Sequence, residues 1–164
     1  MDATDHAAAG TSPVVPQPKE KTVIGIAADH AGVELKAVLK PWLEAQGYEV
    51  RDFGAYTTES VDYPDVARPL AQALLHGAVA AGFSICGTGN GINMTLNRYH
   101  GIRAALCWTP EIARLARAHN NANNCSLPAR FITVAAAQAV VTAFLTTAFE
   151  GERHQRRIEK IEQG

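Results

Sequence analysis

Cys86 closes the apolar run Phe83-Ser84-Ile85, and the turn Gly87-Thr88-Gly89-Asn90-Gly91 follows it at once. A thiolate at the start of a helix is stabilised by the helix dipole, so a cysteine there can act as a base or a nucleophile. The glycines permit positive φ and close backbone approach. Successive amides in such a turn form a concavity for an anion or for a developing oxyanion. The commonest phosphate motifs do not fit. A G-x-G-x-x-G fingerprint counted from Gly87 needs glycine where Ile92 stands, and counted from Gly89 it needs glycine at Met94. A Cys-x5-Arg loop needs arginine at Ile92, and no Gly-Lys-Ser/Thr follows to make a P-loop. The bland alternative is a tight strand-to-helix turn beside a cysteine that merely packs as a small apolar residue. That is the reading taken for Cys107 and Cys125.

Asp29-His30, in "AADHAG", pairs a carboxylate with an imidazole at the end of another apolar run. Such a pair can share proton transfer or hold a sugar hydroxyl or phosphate, although Asp29 could simply cap the next helix. His119, ahead of the asparagine run "NNANN", is a second acid–base candidate. Its alternative is a histidine favoured by a helix C-terminus. Arg153 and Arg157 lie one helical turn apart in "RHQRR", suited to clamping a phosphate or to a solvated basic face. His6, His76, His100 and His154 read as surface or tail residues.

The elements that must position these groups alternate. Strands are expected at 22–28, 48–54, 82–86 and 101–107, with a fifth inside "NCSLPARFITV" broken by Pro128. Helices are expected at 33–47 (interrupted by Pro41), 63–77, 92–98, 109–119, 135–150 and across "RHQRRIEKIEQ". Thr109-Pro110-Glu111 is good helix-start chemistry. Strand alternating with helix implies an α/β fold, a mostly parallel sheet covered on both faces. Ligands then sit at the carboxyl ends of the strands. On that rule Asp29-His30, residues 54–62, Cys86 with its turn, and 119–124 are expected to converge on one rim.

The chain has 164 residues, 47% of them apolar, and a formal net charge of −1. One domain is expected past residue 20, preceded by a proline-containing tail at 1–20 that reads as flexible and carries no secretory pattern. The charge balance gives no reason to expect nucleic acid or membrane as partner. Three scattered cysteines without metal-ligand spacing fit a reducing, cytoplasmic setting and no metal site.

"IAADHAG", "DFG", "DYPDVA", "ICGTGNG", "NRYHGIRAAL", "ARAHNNAN" and "EGERHQRR" occur in an order and spacing similar to the ribose-5-phosphate isomerase B family, which includes galactose-6-phosphate isomerase subunits. The resemblance runs over about residues 21–162. It implies a Rossmann-like three-layer sandwich with a five-stranded parallel sheet, and a C-terminal helix that reaches a partner subunit. It further implies a homodimer or dimer of dimers with shared active sites, acting without cofactor or metal on a phosphorylated sugar in pentose phosphate metabolism. By the same resemblance Cys86 is the base that shuttles a proton between C2 and C1 of the sugar. Amides of Gly87 to Gly91, including Gly89 and Asn90, hold the enediolate, and Thr88 relays a proton. His119 and Asp29 open the sugar ring, while Asp29, Asn120 and Tyr63 orient hydroxyls. His30, Arg130 and the partner's Arg153 and Arg157 contact phosphate. Some members carry glutamate directly after the glycine turn and lack the cysteine. Here Ile92 fills that slot, so the cysteine version is implied. "CSLPAR" replaces a glycine-rich stretch common in the family, and "HNN" replaces "HND". Ribose 5-phosphate is the expected substrate, ahead of a tetrose 4-phosphate or of allose or galactose 6-phosphate. A non-catalytic phosphosugar-binding domain is the reading from another class.

Overall fold

The structure is a computed structural model and describes residues 20–164. The expected tail thus lies, but for its last residue, outside the described residues. The elements run β1 (Val23–Ala28), α1 (Val33–Ala45), β2 (Glu49–Asp52), α2 (Tyr63–Leu75), β3 (Ala81–Cys86), α3 (Asn90–Leu96), β4 (Ala104–Leu106), α4 (Pro110–Asn120), β5 (Asn124–Pro128), α5 (Val134–Thr146) and α6 (Arg153–Ile161). All strand pairs are parallel, in the order β2-β1-β3-β5-β4. This is the expected five-stranded α/β sandwich of Rossmann-like type. The fourth strand is shorter than expected. The fifth is not broken by Pro128 but ends on it, where the missing N–H costs no interior ladder bond. Pro41 and Pro69 sit inside α1 and α2 without ending them. Among the described residues, no helix is long and apolar enough to cross a membrane.

The two faces of the sheet differ because successive residues of a strand point to opposite sides. Ile24, Ile26, Phe83, Ile85, Cys125 and Leu127 face α1, α4 and α5 and form the larger core with Leu39, Leu43, Val140 and Phe144. The Phe83 and Phe144 rings meet edge to face at 5.6 Å. Cys107 and Cys125 are fully buried in this layer, and burial pushes the Cys125 thiol well up, as expected of cysteines that only pack. The other face carries small and polar residues so that α2 and α3 can lie close. A Cβ on Gly25 would fall 2.5 Å from Leu70 Cδ1. Buried Ser84 and Ser126 share a hydrogen bond at 2.8 Å, and the Asn124 amide meets both hydroxyls at 2.9 and 3.2 Å. The Ser126 hydroxyl donates to Asn93 Oδ1 at 2.9 Å, tying the sheet to α3.

The sheet order reverses between β1 and β3. After β1 the chain turns to α1 on one face, and after β3 to α3 on the other. The two connections part and leave a crevice at the strands' carboxyl ends. The register Ala28↔Ile85 and Cys86↔Pro128 brings Asp29, Cys86 and Pro128 to one level there.

Candidate active site

Asp29 is buried and Asp29 N donates to the Ile85 carbonyl at 3.0 Å, so the end of β1 is fastened to β3 just before Cys86. One carboxylate oxygen accepts from Ala31 N at 2.9 Å, a local turn ahead of α1. The N-cap of α1 is Gly32 and no side chain bonds there, so Asp29 does not take the capping role named above. The other oxygen takes no hydrogen bond from the described residues and borders the crevice. Gly32 is required three residues on: a Cβ there would lie 2.6 Å from Ile85 Cγ2. His30 Nδ1 meets both groups of Val61, accepting from its N–H at 3.2 Å or donating to its carbonyl at 3.2 Å. Either way Nε2 is left for the crevice.

The loop between β2 and α2 therefore places His30, and an ion pair between buried Lys36 and partly buried Asp52 places the loop. Lys36, on the inner side of α1, meets Asp52 at 2.6 Å and donates to the Ala55 carbonyl. Asp52 also accepts from Gly54 N at 2.9 Å, and the Lys36 ammonium stands 4.8 Å from the Tyr56 ring centroid. A lysine within an apolar helical stripe, followed by an aspartate at a strand end, is the readable signal for this pair. Sequence reasoning passes over it, whereas Ser60 and Asp62, within the 54–62 stretch expected at the rim, do line the crevice.

The glycine turn carries its own constraints. Gly89 has φ of 74°, and a Cβ there would lie 2.4 Å from Leu106 Cδ1. Gly91 lies flat against Tyr63, where a Cβ would come within 2.5 Å of the ring. The Arg130 guanidinium folds across Gly87, 3.3 Å from where a Cβ would stand, and Arg130 N donates to the Gly87 carbonyl at 3.0 Å. Exposed Thr88 accepts from Asn90 N at 3.3 Å. These elements enclose a cavity of about 370 Å³ lined by Asp29, His30, Ser60, Asp62, Tyr63, Cys86, Gly87, Thr88, Gly91 and Arg130. Cys86 is 4% exposed, at the cavity floor. Gly89 and Asn90, expected to bind substrate, are not part of the lining.

His119, Asn120, Arg153 and Arg157 are not brought to this cavity. The expected convergence of residues 119–124 on the same rim is corrected by the direction of α4. That helix starts at the carboxyl ends of the strands and runs back, so its last residues stand at the amino ends. The Asn123 carbonyl, just beyond it, accepts from Gly82 N at 2.9 Å, near the start of β3. His119 stacks there on His154 of α6, with ring centroids 4.3 Å apart. His154 is thus no surface residue: it is 5% exposed. Asn120 borders a different cavity, with Ile102, Arg103 and Ile161, of about 430 Å³. Arg153 and Arg157 are exposed on α6.

The crevice combines a thiol, a carboxylate, an imidazole, a guanidinium and part of the glycine turn. That set can bind an anionic, hydroxyl-bearing molecule and move protons on it. The family model described as Ribose/Galactose Isomerase matches residues 24–161. Ribose-5-phosphate isomerase B of Escherichia coli is 40% identical over 138 residues, covering 84% of this chain and 93% of that protein. A ribose 5-phosphate isomerase from Thermotoga maritima superposes with a TM-score of 0.87 at 50% identity, covering 88% of this chain and 100% of the other. Ribose-5-phosphate isomerase B from Mycoplasma genitalium with bound ribulose-5-phosphate superposes with a TM-score of 0.83 at 40% identity, covering 87% of this chain and 95% of the other.

Proposed function

Because the chain belongs to the ribose/galactose isomerase family and is a sugar-phosphate isomerase, we propose that it interconverts ribose 5-phosphate and ribulose 5-phosphate, with Cys86 as the base. The observation that carries the reading is the single cavity that holds Cys86, Thr88, Asp29, His30, Tyr63 and Arg130 together.

The sugar enters as a ring. Asp29 and His119 form the opening pair: one takes the proton of the anomeric hydroxyl, and the other protonates the ring oxygen as its bond to C1 breaks. The Cys86 thiolate then removes the C2 proton. Charge develops on the carbonyl oxygen, and in this reading amides of the Gly87–Gly91 turn stabilise it. Donors held ready in this way commonly supply the greatest share of the rate enhancement. The Thr88 hydroxyl passes a proton between O1 and O2, and Cys86 returns its proton to C1, giving the ketose. Tyr63 and Asn120 orient hydroxyls. His30 Nε2 and Arg130 hold phosphate.

His119 and Asn120 stand at the far end of their own sheet. In this reading they come, with Arg153 and Arg157, from a second copy of the chain, and the homodimer or dimer of dimers is part of the active site. The bare α6 arginines, pointing away from their own cavity, support that arrangement.

The test is conversion of ribose 5-phosphate to ribulose 5-phosphate by the wild type and by Cys86→Ser. A general base contributes about 100- to 10,000-fold, and kcat is expected to fall by that order. Undiminished turnover by Cys86→Ser would sink the assigned base. A wild type inactive on pentose, tetrose and hexose phosphates alike would return the chain to a phosphosugar-binding role.

A further inference from the structure

His119 belongs to a cluster of three groups. Its ring and that of His154 are stacked, with planes 11° apart. Glu150 Oε2 lies 3.8 Å from His119 Nε2 and 3.4 Å from His154 Nε2. The connector between α5 and α6 is shaped to bring the carboxylate there. Glu150 N donates to the Ala118 carbonyl at 3.0 Å, which pins the connector to the last turn of α4. Gly151 and Glu152 then both take positive φ, 74° and 51°, and turn the chain into α6. For glutamate that conformation is strained, and such strain persists where the surroundings over-determine it.

The same trio has the composition of a metal site, with ligand atoms within 4.8 Å of one another. Its geometry argues otherwise. An imidazole lone pair lies in the ring plane, and two stacked, nearly parallel rings cannot both aim at one ion. They can still lie beside a carboxylate, whose charge attracts both rings at 3.4 to 3.8 Å without needing either nitrogen aimed straight at it. His154 is buried, and its Nε2 is the one buried side-chain nitrogen or oxygen among the described residues without a hydrogen bond.

We propose that Glu150 and His154 are positioning residues for His119. The carboxylate takes the Nε2 side of the ring, His154 supplies the flat platform beneath it, and Nδ1 is the nitrogen offered to the sugar. The inference rests on the ring-opening role proposed for His119. Charge supports it. Burial pushes the His154 imidazole below its ordinary value, and positive charge on His119, Arg153 and Arg157 acts the same way against the pull of Glu150. From α4, Arg114 also faces Glu150. A platform that stays neutral lets His119 take up a proton without a like charge stacked against it.

The experiment uses the full chain with ribose 5-phosphate. Glu150→Gln and His154→Ala are each expected to lower kcat about tenfold or more with KM within about twofold, the signature of a misplaced group rather than lost binding. His154→Phe keeps the platform and is expected to restore most of kcat. Loss carried by KM instead, or full kcat in Glu150→Gln, would overturn the proposal. A second readout needs no turnover: histidine NMR titration of His154 is expected to move down in Glu150→Gln and up in His119→Asn. An unresponsive His154 means the three groups are not in contact, which also overturns it. If His119→Asn itself turns over ribose 5-phosphate normally while His154 responds as stated, the ring-opening assignment fails and the cluster geometry stands.

Discussion

The two ends of the sheet are built on different principles. At the carboxyl end the working groups sit on short turns, and backbone places them: Asp29 N on Ile85, His30 on Val61, Arg130 N on Gly87. At the amino end the groups are side chains on helices, and side chains place them: His119 on His154, Glu150 across both. The first end is complete as a concave pocket within one chain. The second is a cluster with no pocket of its own facing Cys86. An active site that needs both has to join the end of one copy to the opposite end of another.

The largest effect expected breaks or confirms this division directly. Cys86→Ser and His119→Asn are each expected to be nearly inactive. Co-expressed, they form mixed dimers in which one of two sites pairs an intact cavity with an intact His119. With sites shared across a two-fold interface, as proposed, random mixing is expected to restore about a quarter of wild-type activity. No recovery on mixing, with mixed dimers verified by mass, would mean both ends act within one chain.

The next effect probes the carboxyl end alone. Lys36→Met leaves the partly buried Asp52 without its partner. Removing one member of a fully buried pair costs about 3–5 kcal/mol, and the partial exposure of Asp52 keeps the expected cost below that. A marked drop in Tm is expected, together with loosening of the loop that carries Val61. Lys36→Met/Asp52→Leu is expected to regain much of it. If the single variant melts like wild type, the ion pair does not hold the loop. A smaller effect is expected at Gly91, where a methyl would meet the Tyr63 ring. Gly91→Ala costs about 1–3 kcal/mol as an overpacking change. It is also expected to raise KM, because Tyr63 must move out of the cavity wall. An unchanged KM would remove Tyr63 from substrate binding.

The same division explains what can be read from sequence. Asp29-His30 and Cys86 with its glycines are legible because each follows a strand directly, so the rule that places ligands at strand ends applies without further knowledge. Tyr63 and Arg130 come from family resemblance, since nothing in their local pattern sets them apart. Residues 119–124 are misplaced when that rule is applied across an intervening helix. In a parallel sheet the returning helix carries its last residue to the other end. His154 reads as surface because "RHQRR" is polar. The i, i+4 spacing of Glu150 and His154 is visible in the sequence, but the fact that His119 lies beneath them is a tertiary one.

The smallest effect separates the two ends by pH. The folded-state value of His154 lies below its ordinary one of 6.5. Between the two, the unfolded chain binds the proton and the folded chain does not, so stability rises with pH across that window. This contribution is full above about 6.5, and it is lost as pH falls toward the folded value. His154→Phe has no such proton to bind, so its Tm is expected to vary less than that of the wild type as pH is lowered from 7 through 5. Lys36→Met/Asp52→Leu, which alters only the carboxyl end, is expected to keep the wild-type slope in that window. Parallel slopes in wild type and His154→Phe would show that His154 takes up its proton in the folded protein as readily as in the unfolded chain. The neutral platform under His119 would then be lost, even if the rings remain stacked.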